Sequence, residues 1–130
     1  MFRKLREKEN GQALVEMALI LPIFLLLLFG SVEIGRISYT YLAINNSARD
    51  GARVASVGGN DLAIIETIKN DVILDKNALV ITITPPEDQR QSGQGVTVDV
   101  SYPVNFILPT LEGVIPNPFI VNANFTMRLE

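Results

Sequence analysis

Three kinds of hydrophobic spacing follow one another along the chain. From Gln12 to Val32 apolar residues run almost without interruption, and Met17 to Phe29 carries no ionisable side chain at all. From Ile34 they thin to spacings of three and four, at Ile34, Ile37, Tyr41, Ile44, Ala48, Ala52 and Ala55, which predicts an amphipathic helix continuing directly from the apolar run. Gly58-Gly59 then ends the helix by permitting a left-handed turn. Asn60 or Asp61 is a suitable N-cap, and Leu62, Ile65, Ile68 (or Lys69) and Val72 predict a shorter second helix to about Leu74.

After Lys76-Asn77 the period changes to two. Leu79, Ile81 and Ile83 alternate with Val80, Thr82 and Thr84, and Pro85-Pro86 stops that strand. Val96 to Phe106 alternates strictly, with Pro103 on its polar side, where proline requires an open edge or an end to pairing. Phe119 to Leu129 repeats the alternation. The segment from Pro85 to Gly95 is polar and rich in proline and glycine, a loop composition and the expected mobile part. Ile107 to Pro118 reads as a long, partly buried loop with room for one helical turn. Helix, helix, strand, strand, strand without crossover helices predicts an α+β fold: a long N-terminal helix, a short second helix and a small three-stranded antiparallel sheet packed on the helix.

At 1.5 Å per residue, about 20 apolar residues cover roughly 30 Å, the thickness of a bilayer core, so one span fits. Arg3, Lys4, Arg6 and Lys8 precede it with no matching basic run soon after, which predicts a cytoplasmic N-terminus. The expected organisation is a basic cytoplasmic leader over 1–11, a transmembrane helix over 12–33 and an extracytoplasmic domain over 34–130. A cleaved signal peptide is the competing reading. It would end at small residues near Gly30, whereas the helical spacing here continues past that point.

Charge and composition narrow the chemistry. The net charge is −3, and the only basic cluster lies ahead of the span, so nucleic-acid binding is not expected. The chain has no cysteine and no histidine, which removes thiolate sites and the commonest metal ligand and general base. Glu87-Asp88 and Asp71/Asp75 lack a nucleophilic or basic partner, Gly93-Gln-Gly95 lacks the strand-then-helix setting of a phosphate loop, and the acidic residues follow no calcium-ligand spacing. The expectation is no enzyme, no catalytic residues, no metal and no cofactor.

Gly11 stands just before the span and Glu16 five residues beyond it. The stretch Gly11-Gln-Ala-Leu-Val-Glu-Met-Ala-Leu-Ile-Leu-Pro22, with Val32-Glu-Ile-Gly-Arg36 and Asn46-Ser-Ala-Arg-Asp-Gly-Ala-Arg53, resembles the TadE-like family, pilin-like proteins of the tight-adherence (Flp) pilus system. The resemblance is dense from Gly11 to Val57 and looser in the last strand. It implies a pilin-like fold and a minor-pilin or pseudopilin role in the bacterial inner membrane. It also implies cleavage between Gly11 and Gln12 by a prepilin peptidase, and contacts with other pilin subunits and the assembly platform. Met17 departs from the aromatic that follows the acid in processed members. The runner-up reading is a membrane-anchored binding module.

Each candidate assembly residue has a plainer alternative. Glu16 is costly in hydrocarbon, roughly 2.5–3.5 kcal/mol at mid-span on insertion scales, so it either meets a partner, such as a freed amino group at Gln12 of a neighbour, or snorkels to the headgroups. Pro22 removes a helix hydrogen bond and either kinks the span for packing or is simply tolerated. Ser31, Gly35, Ala43, Ser47, Gly51 and Ala55 form a four-residue ladder that serves either association between chains or close approach of the sheet. Arg49 and Arg53, four apart, either contribute to assembly or form a hydrated charged stripe, pairing with Glu33 or Glu66.

Overall fold

The computed structural model describes residues 2–108 and 113–130, with side chains described from Asn10 onward. The chain divides into two compact units, Met1–Gly35 and Arg36–Glu130. Helix α1, Phe2–Ser56, supplies all the secondary structure of the first unit and the opening helix of the second. It is followed by α2 (Asp61–Asp71) and by strands β1 (Val80–Thr84), β2 (Gly95–Val104) and β3 (Phe119–Arg128). The α+β class, the long first helix, the short second helix and the antiparallel order β1-β2-β3 agree with the sequence reading.

The two glycines after α1 act differently. Gly58 adopts φ +84°, and its N–H donates to the Ala55 carbonyl at 3.1 Å, while the Gly59 N–H donates to the Val54 carbonyl at 3.0 Å. This is the Schellman pairing that satisfies the last carbonyls of a helix. Gly59 is required for space, since a Cβ there would lie 2.5 Å from Val54 Cγ1. The chain can then reverse at once into α2, where the Asn60 side chain accepts from the Ala63 N–H at 2.8 Å as an N-cap.

The core lies within the second unit. Ile44, Ala48, Ala52 and Ala55 of α1, Ile64 and Ile68 of α2, and Val96, Val98 and Val100 of β2 are all buried together. The expected face of α2 is corrected here. Leu62 is 71% exposed and Ile65 only half-buried, whereas Ile64 and Ile68 are fully buried. Ile68 lies in both possible stripes, and the gap left by Gly51 decides between them. A Cβ on Gly51 would sit 2.7 Å from Ile68 Cγ1 and 3.4 Å from Ile64 Cγ2, so these two isoleucines fill the notch. The helix also ends at Asp71, short of Leu74, because Val72 turns to an extended conformation.

In the sheet, β2 is central and β1 pairs with it only as far as Val80↔Ser101. Pro103 lies beyond that point and faces only β3, opposite Ile120, so its missing N–H interrupts no ladder on the β1 side. β2 stops at Val104, and Phe106 leaves the strand to pack its ring 6.5 Å from that of Phe119. The middle of the loop between β2 and β3, residues 109–112, lies outside the described residues, and with it much of the expected helical turn.

Candidate functional site

In the first unit the apolar residues have no cover of their own. Leu14, Leu19, Leu26 and Leu27 are 63–71% exposed, and the large apolar side chains on all sides of the helix from Leu14 to Phe29 are at least 38% exposed. None of the most apolar stretch is buried. It forms one helix long and apolar enough to cross a membrane, near the N-terminus. Pro22 is accommodated inside it.

Gly11 and Gln12 lie one turn before this surface, in helical conformation. A Cβ at Gly11 would meet nothing within 4 Å. Glu16 is exposed, and its carboxylate accepts from the Gln12 side-chain amide at 3.4 Å, a weak bond between residues one turn apart. Gln12 and Glu16, picked out separately in the sequence, are thus neighbours on one helix face. Gly35 closes the unit and is also in open space.

The other three assembly candidates lie in the second unit. Gly51 is buried in the contact between α1 and α2, so its small size is used within the chain. Ser47 and Ala55, from the same ladder, are buried too, as is Ala48 beside them. Arg49 and Arg53 are exposed, and neither forms an ion pair among the described residues. The Arg49 guanidinium instead lies 5.1 Å from the centre of the Phe125 ring.

The sequence reading missed Arg90. In the loop expected to be mobile, its side chain is 6% exposed, forms an ion pair with Asp61 through Nη2 and donates from Nε to the Pro85 carbonyl at 3.0 Å. The Glu87 carboxylate accepts the Asp61 N–H at 3.2 Å. A 3₁₀ turn, Glu87–Gln89, shapes the intervening chain. Nothing local marks Arg90 as different from the other polar residues of the loop, because its partner is 29 residues away. No group of three or more acidic side chains that could hold a metal occurs among the described residues.

An apolar helix without internal cover, long enough to cross a membrane once, continues into a small α+β unit with its own core. Residues 11–53, about a third of the chain, match the family described as TadE-like protein. The match spans Gly11, Gln12, Glu16, Pro22, Gly35, Arg49, Gly51 and Arg53. No curated protein and no solved structure matches the chain.

Proposed function

We propose that this protein is a minor pilin or pseudopilin that serves in assembling a tight-adherence (Flp-type) pilus. Its helix spans the bacterial inner membrane with the N-terminus in the cytoplasm, and a prepilin peptidase cuts between Gly11 and Gln12. Its partners are other pilin or pseudopilin subunits and the assembly platform, and its contribution is structural, with no reaction catalysed. The observation that carries this reading is the uncovered apolar surface from Leu14 to Phe29, bearing Glu16, inside the TadE-like segment. Lipid covers such a surface before assembly and neighbouring helices cover it afterwards. Glu16 is the one ionisable side chain between Gln12 and Val32, and a freed amino group at Gln12 of an adjoining copy would neutralise it.

A binding module tethered to the membrane is the second reading. A cleft of about 240 Å³ lined by Arg36, Tyr39, Leu74 and Tyr102 is where such a ligand would sit. A second groove of about 380 Å³, lined by Asp50, Arg53, Val54 and Thr67, lies inside the roughly 300–1,000 Å³ range of ligand pockets, so volume does not decide between the two readings.

Replacing Glu16 by leucine separates the two. Insertion is retained, and the variant is depleted from sheared pili relative to wild type in cells expressing both. Equal incorporation overturns the role given to Glu16. A wild-type chain found wholly in the membrane fraction, with none in sheared pili, favours the tethered module.

A further inference from the structure

Two outward helix faces within residues 36–130 carry the same spacing. On α1, Leu42, Asn46, Arg49 and Arg53 step by four, three and four residues on the side opposite the buried Ile44, Ala48 and Ala55, and all are exposed. On α2, Leu62, Glu66 and Lys69 step by four and three on the side opposite the buried Ile64 and Ile68. Ile73 follows just beyond the helix end and is 88% exposed. Glu66, like the two arginines, forms no ion pair among the described residues. The Phe125 ring holds Arg49 in place without neutralising it.

Placed antiparallel, the two faces match position by position. Arg49 meets Glu66, the aliphatic stem of Arg53 meets Leu62, Asn46 meets Lys69, and Leu42 comes beside Ile73. Placed parallel, they set Arg49 against Lys69, and the like charges oppose contact. The antiparallel match also agrees with the fold. Within one chain α1 and α2 run antiparallel, since Asp50 and Asp71, and Val54 and Thr67, flank a common groove. Copies held in one orientation therefore present α1 of the first antiparallel to α2 of the next.

We propose that the outward face of α1, Leu42 to Arg53, docks on the outward face of α2, Leu62 to Lys69, and on the exposed Ile73 just beyond it, of a second copy of this chain. The contact joins two different surfaces, so each copy keeps one face free and the arrangement extends from copy to copy instead of closing as a two-fold dimer. It deepens the assembly role above and rests on it, adding a second contact outside the apolar span.

The absence of cysteine in the chain makes disulfide trapping a direct test. Full-length protein is expressed in its host as two co-resident copies, one carrying Leu42→Cys and the other Ile73→Cys, or one Asn46→Cys and the other Lys69→Cys. Mild oxidation should give cross-linked dimers for both matched pairs and far fewer for the mismatched pair Leu42→Cys with Leu62→Cys. A chain carrying both Leu42→Cys and Ile73→Cys should give a ladder of trimers and higher species. Adding Glu66→Arg should lower the yield roughly tenfold, and Arg49→Glu in the same chain should restore it. Equal yields from matched and mismatched pairs, or dimers with no ladder, overturn the proposal. A subunit recovered in sheared pili that gives no ladder overturns this contact alone. A ladder in membranes with no subunit in pili supports the contact and overturns the pilus role.

Discussion

Apolar side chains have opposite fates in the two parts of α1. Between Leu14 and Phe29 they are mostly leucine, isoleucine and phenylalanine, and Leu26 is 65% exposed. Between Ile44 and Ala55 the inward positions are mostly alanine, serine and glycine, and Ile44, Ala48 and Ala52 are fully buried. Both stretches are apolar, so hydrophobicity alone does not separate them. Side-chain size does. Small residues let a second backbone come close, as Ile64 and Ile68 do over Gly51, whereas bulky residues on every side leave no direction for the chain to cover itself and call for lipid or foreign helices.

The largest test of this contrast is a pair of matched truncations. Ile64→Ala should destabilise the unit formed by residues 36–130 by about 2–5 kcal/mol, the range for emptying a fully buried aliphatic site. Leu26→Ala should change the same unfolding transition by less than about 0.5 kcal/mol. Denaturant unfolding of both variants in detergent measures the difference, and a comparable loss at Leu26 would break the contrast. The reverse experiment is Leu26→Lys. A lysine at mid-span opposes insertion by roughly 2.5–3.5 kcal/mol, so more of the chain should be released by alkaline extraction while the unfolding midpoint of the second unit stays put.

A smaller effect is expected where the loop meets α2. Arg90→Met removes a buried guanidinium from Asp61 and from the Pro85 carbonyl, and Asp61 keeps 40% of its side chain in water, which limits the cost to about 1–3 kcal/mol. Arg90→Lys should not recover it, because an ammonium cannot reproduce the planar fork that reaches both partners. Unfolding midpoints of the two variants, compared with wild type, measure this.

What could be read from the sequence follows the range of the interactions. The α1 terminus was legible because Gly58-Gly59 is a local signal, and the strands were legible because alternation is local too. The buried face of α2 was not. The stripe through Leu62 and Ile65 and the stripe through Ile64 and Ile68 are equally periodic, and only the notch at Gly51, a contact between two helices, distinguishes them. Arg90 was hidden for the same reason, with Asp61 29 residues away. Of the candidate site, Gln12 and Glu16 were legible one by one, and their contact within one helix face came from the structure. That Gly51 faces inward while Arg49 and Arg53 face outward needed the fold.

The least disruptive change isolates the shortest element. α2 has 11 residues, a length at which an isolated helix is marginal in water, so it depends on its ends as well as on Ile64 and Ile68. Asn60 satisfies the Ala63 N–H, and Glu87 satisfies the Asp61 N–H, leaving little redundancy in the first turn. Asn60→Ala should cost about 1 kcal/mol, and Asn60→Asp, which keeps the acceptor and adds a favourable charge at the helix start, should cost almost nothing. Hydrogen exchange at the Ala63 amide should accelerate in the alanine variant and not in the aspartate variant. If both behave alike, the cap contributes nothing and α2 is held by its two isoleucines alone.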